Sequence, residues 1–232
     1  MKILIVVTST NKYQNHPLET GLWLSEVTHL YEECLNNNIA VDFASPLGGI
    51  IPIDPECLKF FVLDKTTKKY LADKIFNENL HSSQILAQVD ENLYDAIYLA
   101  GGHGTMYDFV GNEPLNALIQ KFYEKGKIVA AVCHGVCGLI DAKLSDGNYL
   151  IKGKNLTGFA WIEEILARRT QHVPFNLEQI IKSRGGNYSK AFIPMTSKVV
   201  VDKNLITGQN PFSSKAIGKK IVEQLKLQKQ PQ

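Results

Sequence analysis

Apolar residues are distributed along the chain in two ways: short unbroken runs, and longer stretches with helical spacing. Ile3 to Val7 and Ile128 to Val132 are each five consecutive apolar residues, the pattern of strands buried on both faces of a parallel sheet. Between residues 18 and 35 the period changes, with Leu22, Trp23, Val27, Leu30 and Tyr31 on one helical face and Asn36, Asn37 and Asn38 closing the helix. Residues 41–44 form a second strand, ended by Pro46, Gly48 and Gly49. This β-α-β opening predicts a parallel sheet with a right-handed crossover. Further strands are expected over 95–100, 127–132, 198–202 and 205–207, with an extended piece at 155–159. Helices are expected over 113–124 with Pro114 in the first turn, 161–166, 177–183 with Asn176 as N-cap, and 213–227. The end of the chain, 229–232, reads as frayed. Residues 50–90 break the alternation and read as an insertion that shapes a cap or an interface. The fold class is α/β, a single domain over 1–232.

Composition narrows the function classes. The 232 residues are 44% hydrophobic and 21% charged, ordinary for a globular domain, and a net charge of +2 gives no reason to expect nucleic acid. Lys215, Lys219, Lys220, Lys226 and Lys229 read as one solvated helix face. Four cysteines are too few for a disulfide scaffold and fit a reducing, cytoplasmic setting. The apolar run after Lys2 is too short for a signal peptide, and no stretch reaches membrane-span length, so no membrane association is expected.

Chemistry concentrates where the strands end, since the site of an open α/β sheet lies beyond their carboxyl ends. The 128–132 run stops at Cys133, followed by His134, Gly135 and Gly138. A strand turning sharply into a helix presents its turn residue as a nucleophile elbow, although Ala131 replaces the usual first glycine. The helix N-terminus is expected to lower the Cys133 pKa; the alternative is a buried structural cysteine. His134 reaches the sulfur only if such an elbow forms. Gly101 and Gly102 end the third strand and read either as an oxyanion-hole turn or as a plain tight turn. Glu163 and Glu164 are each able to orient an imidazole, or to be solvated helix positions. Glu26 falls on the apolar face of the first helix, where burial would leave it protonated or hydrogen-bonded. The histidines show no His-x-x-x-His spacing and there is no Cys-x-x-Cys, so no structural zinc is expected. Gly101 to Gly104 does not extend to a dinucleotide fingerprint, and there is no P-loop.

Together these stretches resemble the ThiJ/PfpI superfamily, which has the class I glutamine amidotransferase-like, flavodoxin-type doubly wound fold. The resemblance rests on the opening strand, on Thr20 and Gly21 with Glu26, on Ala44-Ser45-Pro46 and on Gly101-Gly102-His103-Gly104. It continues through Ala131-Val132-Cys133-His134-Gly135, residues 156–159 with Glu164, and residues 205–211. Within the superfamily the chain is most similar to the heat-shock chaperone and glyoxalase III branch. The resemblance implies a cofactor-free enzyme converting methylglyoxal or a related 2-oxoaldehyde to a 2-hydroxy acid. It assigns Cys133 as nucleophile, His134 as its partner, Glu164 as third member with Glu163 as fallback, and Glu26 as the buried glutamate beside the thiol. Gly102 and His103 fall at the oxyanion and substrate position, and a homodimer is implied. Some members bind metal through a His and a Glu near the end of the first helix plus the His of Gly-Gly-His-Gly. Those first two positions correspond to Leu35 and Ala40, leaving only His103, so no metal is expected. Peptidase, chaperone and redox-sensor roles stay open on the same fold. Amidotransferase activity fits least, because its triad histidine lies far along the chain from the cysteine.

Overall fold

A computed structural model describes residues 1–14 and 16–229; the tail read as frayed lies, beyond Lys229, outside the described residues. The unbroken apolar runs become the central strands. Along β1 (Lys2–Val6) alternate side chains enter opposite cores, Ile3 and Ile5 with the following Val7 on one face, Leu4 and Val6 on the other. After α1 (Leu24–Asn36), β2 (Ala40–Ser45) returns parallel to β1, with Ile5 opposite Phe43. Next come α2 (Lys65–Leu71), α3 (Lys74–Leu80), β3 (Gln84–Ile85), β4 (Ala96–Leu99), α4 (Thr105–Asp108), α5 (Glu113–Glu124) and β5 (Ile128–Val132). The chain ends through β6 (Asn155–Leu156), α6 (Trp161–Leu166), α7 (Leu177–Ser183), β7 (Asn187–Tyr188), β8 (Val199–Asp202), β9 (Leu205–Gly208) and α8 (Ser214–Lys229). The main sheet runs β3-β2-β1-β4-β5-β9-β8, parallel except for the antiparallel β8 edge; β6 and β7 pair separately. Helices α1 and α8 cover one face and α5 the other, giving the doubly wound α/β architecture.

The first helix starts at Leu24, six residues later than its apolar spacing suggests. Residues 18–23 are held extended instead, because the Leu22 N–H donates to the Pro52 carbonyl at 2.8 Å and Leu22 bridges Ile53. A side chain at Gly21 would meet that carbonyl at 2.4 Å. Residues 50–90 hold two short helices whose N-caps, Asp64 and Asp73, accept from the N–H groups of Thr67 and Phe76. Tyr70 and Phe76 pack edge-on against Tyr31 of α1, with ring centroids 5.2 and 5.0 Å away. The segment then returns to the main sheet as β3, beside β2.

Candidate active site

Neighbouring strands β4 and β5 run in register, Leu99 opposite Ala131, so Gly101-Gly102 and Cys133 emerge side by side at their carboxyl ends. Cys133 sits at φ 55°, a left-handed conformation unusual for a side chain with a Cβ. The elbow leads into a 3-10 helix, Cys133–Leu139, rather than an α-helix. Gly135 makes this turn possible: any Cβ there would meet the Leu99 carbonyl at 2.4 Å. The bend folds two adjacent side chains together, with His134 Nδ1 3.3 Å from Cys133 Sγ.

Glu164, in the first turn of α6, lies 2.8 Å from both His134 Nε2 and His103 Nε2, one imidazole on each carboxylate oxygen. An ionised carboxylate only accepts, so each imidazole donates from Nε2 and His134 turns an unprotonated Nδ1 toward the sulfur. Burial, followed by the neighbouring His103, pushes the His134 pKa down to about 4, against the pull of Glu164. Burial works to raise Glu164, but the two imidazoles prevail and hold it well below the usual carboxylate range. Glu163 is engaged elsewhere: its Oε1 accepts from Met195 N, Gln209 Nε2 and Asn210 Nδ2, and its Oε2 from Ala160 N. Its role in the fold is to tie α6 to the segments before β8 and after β9.

Glu26 is fully buried in α1, where Oε2 accepts from the Gly101 N–H at 2.6 Å and Oε1 has no hydrogen-bond partner among the described residues. Burial raises its pKa to about 8, so it carries its proton at neutral pH. Burial and the adjacent Glu26 also push the Cys133 thiol well above the usual thiol range. The expectation that the helix N-terminus lowers the thiol pKa is therefore corrected. The end of a 3-10 helix contributes at most about 2 kcal/mol, whereas burial shifts a pKa by up to about 3–5 units. Gly102, at φ 106°, is forced by close packing: a Cβ would lie 2.0 Å from the Gly21 carbonyl.

Cys133, His134, His103 and Gly102 floor a pocket of about 590 Å³ with largely apolar walls. Phe159 packs on the His134 ring at 4.3 Å, and Tyr13 lies behind His103 at 5.5 Å. Trp23, Phe61 and Phe212 are among the wall residues. Nothing in the sequence marks these three, since they come from segments far apart that meet only in the fold. Leu35 and Ala40 are not near this site: Ala40 lies opposite Lys2, at the other end of the sheet from His103. The ligand atoms of His103, His134 and Glu164 lie within 4.8 Å of one another, close enough to share a cation. Among the described residues both carboxylate oxygens of Glu164 are bonded to these two imidazoles.

A buried cysteine at a strand-end elbow, in contact with a histidine that is bonded to a carboxylate, thus lies at the carboxyl ends of a doubly wound, flavodoxin-like α/β sheet. The sequence profile of the DJ-1/PfpI family matches residues 20–224, and the chain belongs to that family. The glutathione-independent glyoxalase HSP31 of Saccharomyces cerevisiae is 30% identical, over 97% of this chain and 98% of the relative. Glyoxalase 3 of Candida albicans is 29% identical, over 92% of this chain and 94% of the relative. Among solved structures, the Rapid Encystment Protein 24 KDa of Francisella tularensis superposes with TM-score 0.92 at 39% identity, covering 97% of this chain and 98% of that one. Glyoxalase III from Candida albicans superposes with TM-score 0.87 at 26% identity, covering 96% of each chain.

Proposed function

We propose that the protein converts 2-oxoaldehydes to 2-hydroxy acids without glutathione, methylglyoxal to lactate being the simplest case. The observation that carries this reading is the unbroken contact chain Cys133–His134–Glu164 with a protonated Glu26 beside the sulfur. The names of the full-length relatives support it.

In this mechanism the neutral His134 takes the thiol proton as Sγ adds to the aldehyde carbon, and the carbonyl electrons move onto oxygen. The amides of Gly102 and His134 steady that oxyanion until Glu26 donates its proton to give the hemithioacetal. The Glu26 carboxylate left by that donation takes the proton from the former aldehyde carbon while protonated His134 gives its proton to the ketone oxygen, forming an enediol. Glu26 then delivers its proton to the neighbouring carbon and takes the hydroxyl proton from the carbon bonded to sulfur. The product is a thioester bearing a 2-hydroxyl group. Water cleaves its C–S bond and restores the thiol. One carbon is oxidised and its neighbour reduced, so the reaction needs no external oxidant, reductant or cofactor. Glu164 fixes the tautomer of His134, and His103 holds the other carboxylate oxygen.

We further place the protein in the cytoplasm as a homodimer that acts in the stress response. Its four free, buried cysteines support a reducing setting, and among the described residues no helix is long and apolar enough to cross a membrane. A chaperone reading draws on exposed apolar side chains in the 50–90 segment, such as Phe60, and predicts an activity indifferent to Cys133. The test of the enzymatic reading is methylglyoxal turnover by purified protein in glutathione-free buffer. Lactate appearing in step with methylglyoxal loss is the expected result; no consumption of methylglyoxal would refute it.

A further inference from the structure

The pocket is much larger than the triose it is proposed to process. Methylglyoxal has five heavy atoms and fills on the order of 100 Å³, scaling from the roughly 30 Å³ share of one water. The pocket holds about 590 Å³. Cys133, His134, His103 and Gly102 converge at its floor, and the remaining polar lining residues are Ser25, His29, Asp64 and Lys215. Above the floor the walls are Trp23, Phe159, Met195 and Val62, and the rim carries Phe61 and Phe212. Of the remaining polar residues, His29 and Asp64 satisfy each other at 2.8 Å. Phe61 and Phe212 are 71% and 62% exposed, large aromatic rings left partly in water beside an apolar cavity. Such walls gain little from a methyl group and considerably more from a substituent that fills the cavity and covers both rings.

Building on the glyoxalase reading, the geometry points to 2-oxoaldehydes with a bulky apolar, preferably aromatic, substituent as the substrate class. The two carbonyl carbons sit on the polar floor, where the chemistry is that of the simple case, with the same bonds made and broken. The substituent extends along Trp23 and Phe159 to the rim rings.

The experiment measures glutathione-free kcat/KM for phenylglyoxal and methylglyoxal on the wild type and on the Phe61→Ala/Phe212→Ala double variant. The informative quantity is the phenylglyoxal-to-methylglyoxal ratio, because intrinsic aldehyde reactivity cancels when one protein is compared with another. The ratio is expected to fall about tenfold in the double variant, within the range by which apolar pockets discriminate substituents. A ratio unchanged by the substitutions overturns the inference, as does a wild type that turns over methylglyoxal and refuses phenylglyoxal. Turnover of neither aldehyde would refute the glyoxalase reading itself, and this inference with it, so the two failures are distinguishable.

Discussion

At the scale of single residues, Glu26 has a carboxyl group held entirely out of water. Its carboxyl is raised from 4.5 to about 8, by burial first, with the Gly101 hydrogen bond pulling the other way. Across that window the unfolded chain has lost the proton that the folded chain keeps, so stability falls as pH rises from about 4.5 to 8. His134 contributes the opposite slope, between about 4 and 6.5, since the unfolded chain takes up a proton that the buried imidazole refuses. Between about 6.5 and 8 Glu26 acts without that offset. Denaturant titrations of Glu26→Gln are expected to lose up to about 1.4 kcal/mol per pH unit of slope in that interval. The same substitution removes the proposed proton carrier and should lower kcat for methylglyoxal about 100-fold or more. An unchanged slope would contradict the buried acid, and an unchanged kcat its role. The unusual position of Glu26 was legible in the sequence, because a carboxylate on an apolar helix face is conspicuous. The pairing of His103 with Glu164 was not, since 61 residues separate them and they meet only in the fold.

Among the elements, the turns after β4 and β5 carry the site, and both depend on positions that tolerate no side chain. The Gly101-Gly102 pair was legible as a strand-end turn, but the sequence left open whether the turn is functional. The structure supplies a packing reason: Gly102 lies against Gly21, in the extended segment that precedes α1. That segment also explains the early start assigned to the first helix. Leu22 and Trp23 have helical spacing to Val27, yet Leu22 is pinned by Pro52 and Ile53 from the 50–90 segment, a contact no local pattern reveals. Gly102→Ala should therefore disturb the turn and the approach to α1 together. The expected cost is on the order of 3 kcal/mol, combining overpacking with a disfavoured positive φ. Equilibrium unfolding checks it, and a loss below about 0.5 kcal/mol, typical of surface positions, would contradict the close packing.

For the molecule as a whole, two apolar cores share one sheet, and the reactive groups collect where β4 and β5 end between them. The fold class was readable because the central strands are apolar on both faces, a pattern that excludes most other architectures. The pocket was not, because its walls come from α1, the 50–90 segment, the residues before α6 and the approach to α8. What unites these parts is the claim that a buried thiol, relayed by His134 to Glu164, performs covalent chemistry on an aldehyde. The most direct measurement is lactate formation from methylglyoxal by Cys133→Ala beside the wild type, at equal concentration and without glutathione. Cys133 is almost entirely buried in a preformed elbow, and alanine fits the space it leaves. Turnover should fall by about 10⁴-fold or more while the protein stays folded, since no other group present replaces the nucleophile. A variant that keeps wild-type turnover would show that the thiol takes no part and would contradict the account at its centre.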